Sequence, residues 1–209
     1  MADKIFEMYK ELKNERGNNK ELKVKEEEFK DLDAITDNLS KFLFSIGDDI
    51  EKGGAEIGNN YQIVKGFFMY GGEWSYNIKT IEEFCRRLKE FEKEKYFDYA
   101  GLYISALINA IAKDKDIIWL DFSKLEKKID FIGADIDKDI IINVRGSVGH
   151  YLGIWMKKGK IIIEEGDVGN RIGHDMSGGE IEFYRDYGSI AINFHNGKIY
   201  HQDRLIMSK

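Results

Sequence analysis

The side chains with the widest chemical repertoire lie in the C-terminal part of the chain. The four histidines are His150, His174, His195 and His201. A metal site made from two of them with Asp175 or Asp203 is one hypothesis, because imidazole and carboxylate are common metal ligands. The unequal spacing of the histidines favours scattered surface positions instead. We therefore predict no metal site.

A second set of possible ligands is the acidic run Asp135, Asp137 and Asp139. Its D-x-D-x-D spacing is that of the start of an EF-hand calcium loop. The loop also needs Gly at position six and Glu at position twelve, where this chain has Ile140 and Gly146. The pattern therefore predicts a solvated turn, with weak cation binding as the alternative.

The single cysteine, Cys85, excludes an internal disulfide and a zinc site built from cysteines. Arg86 and Arg87 follow it and would lower the thiol pKa, but a nucleophile also needs an oriented base. The nearest histidine is far along the sequence. A lone cysteine on an amphipathic helix is usually a small buried apolar residue, and we predict no catalytic residue.

The glycine run Gly166, Gly169 and Gly173 invites comparison with nucleotide-binding loops. Its spacing is neither that of the Rossmann motif nor that of the P-loop, and no Gly-Lys-Ser/Thr follows. The sequence therefore predicts no cofactor.

Aromatic residues cluster around Gly71-Gly72, where residues 61–70 and 73–78 are predicted to form a β-hairpin. The cluster contains Phe67, Phe68, Tyr70, Trp74 and Tyr76. With Glu73 it could form a ligand platform near Tyr70 and Trp74, although such a face is more often core. This hairpin is the candidate site of an alternative function, a ligand-binding or enzymatic N-terminal half.

The rest of the first half is predicted to be helical. Residues 3–16 show helical spacing and stop at Gly17, and residues 22–25 alternate like a short edge strand. A second helix is predicted from Asp33. Its apolar face consists of Ile35, Leu39, Phe42, Leu43 and Ile46.

Two further helices are predicted before residue 116. Thr80 and Glu83 have the spacing of a capping box, and the helix they begin carries an apolar stripe. The stripe consists of Ile81, Phe84, Leu88 and Phe91. Asp98 is predicted to cap a helix that runs to about Ala112 and is apolar on nearly every face, which is typical of a buried helix.

The second half contains an internal repeat, in which a turn-like triplet precedes isoleucine, any residue and another apolar residue. Copies precede Ile117, Ile129, Ile140, Ile161, Ile181 and Ile199. The last three intervals are roughly twenty residues, a period typical of solenoid coils. Equivalent isoleucines on successive coils would stack as an inward ladder.

Glycines repeat in the same register. The pattern Gly149, Gly153, Met156 and Gly159 recurs twenty positions later as Gly169, Gly173, Met176 and Gly179. Glycine reaches the positive φ values of tight corners at little steric cost. The repeat therefore predicts a β-solenoid over residues 117–209, covered at one end by the helical residues 1–116. At its other end, the charged residues Asp203, Arg204 and Lys209 would discourage strand addition.

The run from Val144 to Phe183 resembles the GXGXG-type repeats in the C-terminal domain of the glutamate synthase large chain. It is similar also to the formylmethanofuran dehydrogenase component that carries such repeats. The resemblance implies a right-handed parallel β-helix with a structural and assembly role. It covers about a fifth of the chain strongly. Neither catalytic domain is present, so neither activity is implied, although an accessory subunit of such a redox complex is a further alternative.

Bulk composition limits the partners. The net charge of −6 argues against non-specific nucleic-acid binding, which needs a basic face. The apolar stretch from Leu102 to Ala112 is shorter than the ~20 residues that span a bilayer. The N-terminus has no secretion signal. We therefore expect a cytoplasmic protein without membrane or nucleic-acid partners, and its abundant Lys and Glu are compatible with a thermophile.

These observations predict an α+β fold: an N-terminal helical region with a β-hairpin, then a short right-handed parallel β-helix. The function expected is a non-catalytic scaffold or assembly module that presents the solenoid to a protein partner or to a second copy. No catalytic, cofactor-binding or metal-binding residue is predicted.

Overall fold

A computed structural model describes residues 32–44, 57–70 and 77–209. The α-helices are α1 (residues 32–44), α2 (Ile57–Tyr70), α3 (Ile78–Arg87) and α4 (Ala100–Ile111), with 3₁₀ turns at Leu88–Phe91 and Phe97–Tyr99. The strands are β1 (Ile117–Asp121), β2 (Ile141–Arg145), β3 (Lys160–Glu165), β4 (Ser177–Phe183), β5 (Asn196–His201) and β6 (Arg204–Ser208). The fold is α+β, with helices followed by a β-solenoid of about four turns.

The strands form one sheet in the order β1-β2-β3-β4-β5-β6. The first five are parallel, and β6 turns back to pair with β5 in antiparallel fashion. An inward column is confirmed: Ile118, Ile142, Ile161, Ile181 and Ile199 are in register and fully buried. The repeat named its members correctly at Ile161, Ile181 and Ile199. It was wrong in the first two strands, where Ile118 and Ile142 stand in the column instead of Ile117, which is 53% exposed, and Ile140.

A second wall of the coil is marked by bridges that join Ile129, Val148, Val168 and Tyr187 in order. Ile129, which the repeat groups with the isoleucines of the inward column, therefore belongs to this second wall instead. The reason is that each coil contains more than one apolar corner, so an isoleucine after a charged triplet does not identify the wall it lies on.

Glycine at the corners lets coils approach closely. At Gly166, φ is +143°, and an added Cβ would lie 2.3 Å from the backbone of Gly146 on the preceding coil. At Gly169 a Cβ would lie 2.5 Å from the backbone of Gly149. The repeated glycines are thus required by contact between coils as well as by backbone conformation.

The helical region packs around α4, in which ten residues are buried. The predicted buried helix is therefore confirmed. The stripe Ile81, Phe84, Leu88 and Phe91 is buried, as are Ile35, Leu39 and Leu43 on α1. One continuous core joins these helices to the inward column of the solenoid. The division at residue 116 into two domains stays a prediction.

α4 contacts the solenoid through a buried hydroxyl. Ser105 Oγ accepts hydrogen bonds from the backbone N–H groups of Gly133 and Ala134, at 2.9 and 3.1 Å, and donates to the carbonyl of Phe131 at 3.1 Å. Nearby, a Cβ on Gly101 would lie 1.8 Å from the carbonyl oxygen of Asp130. A small residue at 101 and a hydroxyl at 105 therefore hold α4 directly against one solenoid corner.

Several predictions for the first half need correction. Residues 61–70 lie in α2 instead of the first strand of a hairpin. Their aromatic and β-branched composition suggested a strand, but Tyr61, Val64 and Phe68 are buried at helical spacing. The helix at 3–16, the strand at 22–25 and residues 71–76 lie outside the described residues.

The predicted helix caps are also wrong. α3 begins at Ile78 with Asn77 as its N-cap, and Thr80 is the third helical residue. The Asn77 side chain accepts from the Thr80 N–H, while the Thr80 hydroxyl accepts from the Asn77 N–H, so the box is displaced by three residues. Asp98 lies in a 3₁₀ turn, and Tyr99 precedes α4 without a side-chain cap.

Candidate functional site

The ligand platform predicted from the sequence lies largely outside the part of the chain that the structure describes. The side chain of Tyr70 is not among the described side chains, and Glu73 and Trp74 lie outside the described residues. Phe68 is 3% exposed and packs in the core, where its ring meets that of Tyr103 at 5.0 Å. This aromatic residue therefore has a packing role.

The histidines occupy different columns of the coil, as their spacing predicts. His174 and His195 nevertheless meet at one carboxylate: Asp175 lies 3.6 Å from His174 Nε2 and 3.1 Å from His195 Nε2. His150 instead accepts a hydrogen bond from the backbone N–H of Asn170. Within residues 32–44, 57–70 and 77–209, no group of three or more His, Cys, Asp or Glu is arranged to hold a metal ion.

The acidic run is not a solvated turn at its first residue. Asp135 is only 5% exposed, and its two carboxylate oxygens pair with Lys157 and Lys65, each at 2.6 Å. The expectation of an exposed turn is therefore wrong for Asp135. The sequence could not reveal this, because Lys65 is far away along the chain.

Cys85 is 1% exposed in α3. Burial raises the pKa of its thiol, and the charge of Glu82 adds to the effect while that of Arg86 opposes it. A raised pKa removes the thiolate that a nucleophile requires. Cys85 is therefore a buried apolar residue, as predicted.

The structure brings together an apolar surface that the repeat pattern did not predict. On the outer face of the sheet, Ile117 and Trp119 are each 53% exposed. Ile141 on β2 is in register with Ile117, and Ile162 on β3 is in register with Asn143, which pairs with Trp119. Both isoleucines are half-buried. We call Ile117, Trp119, Ile141 and Ile162 the outer apolar patch.

Asn143 shows that this patch is continuous. It lies in register between Trp119 and Ile162 but is only 6% exposed, so neighbouring side chains cover it. The signal in the sequence was the run Ile117 to Leu120, in which residues of both strand faces are apolar. An ordinary half-buried strand alternates apolar and polar residues.

The remainder of the outer face is charged but internally paired. Lys160 lies 2.6 Å from Glu182, Lys198 lies 3.5 Å from Glu180, and Arg145 lies 3.2 Å from Glu165. These pairs cross between neighbouring strands, where opposite charges attract. The sheet face therefore has an apolar end at β1 and a charge-balanced end at β5.

A cleft of about 360 Å³ lies where α2 meets the solenoid. It is lined by Gly58, Gln62, Asp135, Trp155, Lys157, Asp175 and Ser177. Trp155 lies 6.0 Å from Tyr61 between ring centroids, so one side of the indole packs on α2. The sequence did not indicate this cleft, because its residues come from two regions that only the tertiary fold joins.

Gly166 and Gly169 of the glycine run are in close contact with the backbone of the preceding coil. Among the helices that the structure describes, none has the length and apolar character needed to cross a bilayer. Comparisons with protein-family models, curated proteins and solved structures find no match to this chain.

Proposed function

We propose that this protein is a non-catalytic assembly module, and that its outer apolar patch pairs with the same patch on a second copy. The observation that carries the proposal is the exposure of Trp119 and Ile117 on a flat sheet face. Contiguous exposed apolar surface commonly marks a protein–protein contact in soluble proteins. A tryptophan on a rigid sheet is also the type of residue that dominates binding energy at interfaces.

The charges on this face favour a second copy over a highly charged partner. The lysines and glutamates of β3 to β5 already pair with one another, so the face has no large excess of either sign. A two-fold axis near β1 would place apolar patch on apolar patch and keep the paired charges at the rim.

The size of the face sets the expected strength. Strand spacing of ~4.8 Å and a rise of ~3.3 Å per residue give a flat area of roughly 20 by 17 Å for the parallel strands. This is smaller than the ~800 Å² per partner of a standard stable interface. The dimer is therefore expected to be weak and concentration-dependent, with dissociation in the micromolar range.

The glycine register supports the same class of function. Its resemblance to GXGXG-type β-helices remains a proposal, and in those families the β-helix is an assembly element. The residues that match are glycines that allow contact between coils. The resemblance therefore supports an architectural role and does not support a catalytic one.

Sedimentation velocity across micromolar concentrations tests the proposal. The wild-type chain is expected to shift reversibly from monomer to dimer as concentration rises. Trp119→Glu is expected to remain monomeric, because it replaces an exposed apolar residue of the patch with a carboxylate. The proposal fails if the wild type is monomeric throughout, or if Trp119→Glu dimerises as the wild type does.

Ile192→Glu is the matched control. Ile192 is 99% exposed and lies in the last coil, away from the patch on β1 to β3. It undergoes the same change from an exposed apolar residue to an acid. Dimerisation equal to that of the wild type is expected for this variant.

A further inference from the structure

The cleft at the junction of α2 and the solenoid contains three corner residues from successive coils. Asp135, Trp155 and Asp175 have positive φ values of 55°, 57° and 52°. Asp135 and Trp155 donate their backbone N–H groups to carbonyls of the next coil, at 2.8 and 2.9 Å, and Asp175 does so at 3.2 Å. The three residues therefore stack at the spacing of neighbouring strands, ~4.8 Å, with the indole in the middle.

The two carboxylates of this column have different surroundings. Asp135 is buried and paired with two ammonium groups, at 2.6 Å each. Asp175 is 35% exposed in its side chain, and no lysine or arginine of the described residues pairs with it. Its Oδ1 accepts from Asn193 Nδ2 at 2.6 Å and lies 3.1 Å from His195 Nε2.

The repeat explains this difference. Lys157 follows Trp155 by two residues and pairs with Asp135 on the preceding coil. From the following coil, Asp175 is contacted by the neutral amide of Asn193 and by His195, whose ring is neutral unless protonated. Asp175 therefore lacks the permanent cation that its counterpart Asp135 has.

We propose that the cleft binds a small organic cation, a primary ammonium or guanidinium compound. Asp175 supplies the carboxylate, and the Trp155 indole supplies an aromatic face for a cation–π contact. Gln62 and Ser177 line the same cleft and can accept hydrogen bonds from the cation. Asp135 is already paired with two ammonium groups, whereas Asp175 has no lysine or arginine partner among the described residues, and this carboxylate favours a cation over an anion.

The cleft volume limits the ligand. About 360 Å³ is at the small end of the range for sites of small molecules, roughly 300–1,000 Å³. A cleft of this volume suits an alkyl amine of a few carbons or a small amine that resembles the side chain of a basic amino acid. This inference does not depend on dimerisation, because none of the residues that line the cleft belongs to the outer apolar patch.

The test is a titration monitored by the indole N–H resonance of Trp155, assigned by a Trp155→Phe variant. The probes are 1,5-diaminopentane and agmatine, with 1,5-pentanediol as a neutral compound of similar length. The two cations are expected to give saturable shifts that weaken with added salt, and the diol none. Equal shifts from the diol, or no saturable shift from either cation, would overturn the proposal.

Asp175→Asn is expected to weaken binding of both cations by about tenfold or more, since it removes the charge and keeps the shape. Asp186→Asn removes the same charge from an exposed residue outside the cleft and is expected to bind as the wild type does. Unchanged affinity in Asp175→Asn contradicts the proposal. If that variant unfolds, the wild-type complex provides the test. Nuclear Overhauser contacts between the Trp155 indole and the methylenes of 1,5-diaminopentane are then expected, and their absence would contradict the proposal.

Discussion

The helical region and the solenoid obtain their stability in different ways. In the solenoid, a buried side chain meets an equivalent side chain one coil away, as Ile142 meets Ile161 and Ile161 meets Ile181. In the helical region, dissimilar residues meet across long sequence separations: the Tyr103 hydroxyl donates to the carbonyl of Ile35 at 2.9 Å. Stacking of equivalent side chains therefore stabilises the solenoid, whereas individual contacts between dissimilar residues stabilise the helical region.

The largest effect is expected where repetition brings backbones together. Gly166→Ala adds a Cβ at a φ of +143° and within 2.3 Å of the Gly146 backbone, so two coils must separate. We expect a loss of about 4 kcal/mol in the free energy of unfolding. Urea denaturation followed by circular dichroism measures it.

Gly66→Ala is the matched change in the helical region. Gly66 lies inside α2, and an added Cβ would meet nothing within 4 Å. Alanine is favoured over glycine in a helix, so a gain of about 0.5–1 kcal/mol is expected. If both variants lose similar stability, the contrast between the two regions is wrong.

The next effect concerns the bond that joins the two regions. Ser105→Ala leaves the buried N–H group of Gly133 without its acceptor, while the Ala134 N–H keeps only its 3.3 Å hydrogen bond to the Phe131 carbonyl. One unsatisfied buried group costs roughly 1–3 kcal/mol, and a loss of about 1–3 kcal/mol is expected. Calorimetric melting at neutral pH provides the measurement.

Ser189→Ala is its control on the solenoid. The Ser189 hydroxyl also accepts a backbone hydrogen bond, from Arg171, but it is exposed, so water can replace it. A change below about 0.5 kcal/mol is expected. Equal losses at both serines would show that burial at the junction does not set the energy.

The smallest effect depends on pH. Burial of Glu182 acts to raise the pKa of its carboxyl, but hydrogen bonds from Lys160 and Tyr184 outweigh burial and leave the pKa below its ordinary value of 4.5. The unfolded chain therefore binds more protons in this range. The stabilising contribution is present above about pH 4.5 and is lost as the pH falls through the lower pKa of the folded state.

Glu182→Gln is accordingly expected to lose about 1 kcal/mol or less at pH 7, because solvent screens part of the interaction. The difference from the wild type should shrink as the pH falls below 4.5, the ordinary pKa. Glu165→Gln, at an exposed pair with Arg145, should show no such difference. Denaturant melts at several pH values test this, and a gap that widens at low pH would contradict it.

The sequence predicted the solenoid well because its signals are local and repeated. The interval between glycines and the isoleucine pattern both follow from contacts between residues about one coil apart. The repeat grouped Ile129 and Ile117 with the isoleucines of the inward column, because it does not distinguish one apolar corner, or one face of a strand, from another. The buried stripe Ile81, Phe84, Leu88 and Phe91 was also predictable, since it lies within α3 and the 3₁₀ turn that directly follows it.

The cleft and α2 were not predictable in the same way. Residues 61–70 have a composition that suits a strand, and only packing on α4 and the solenoid selects the helix. The pairing of Asp135 with Lys65 joins two distant parts of the chain. Trp155 was not singled out, because its role depends on α2 lying opposite.

The reversal of β6 has a mechanical consequence. Lys209 closes the open end of the β5–β6 hairpin, where it exchanges backbone hydrogen bonds with Gly197 at 3.3 and 3.4 Å. A force that pulls Lys209 away from β5 would break the β5–β6 hydrogen bonds one after another. A force along the parallel strands would instead have to break several hydrogen bonds at once. Force applied through a tether at Lys209 would therefore detach β6 first and expose β5 as a free pairing edge.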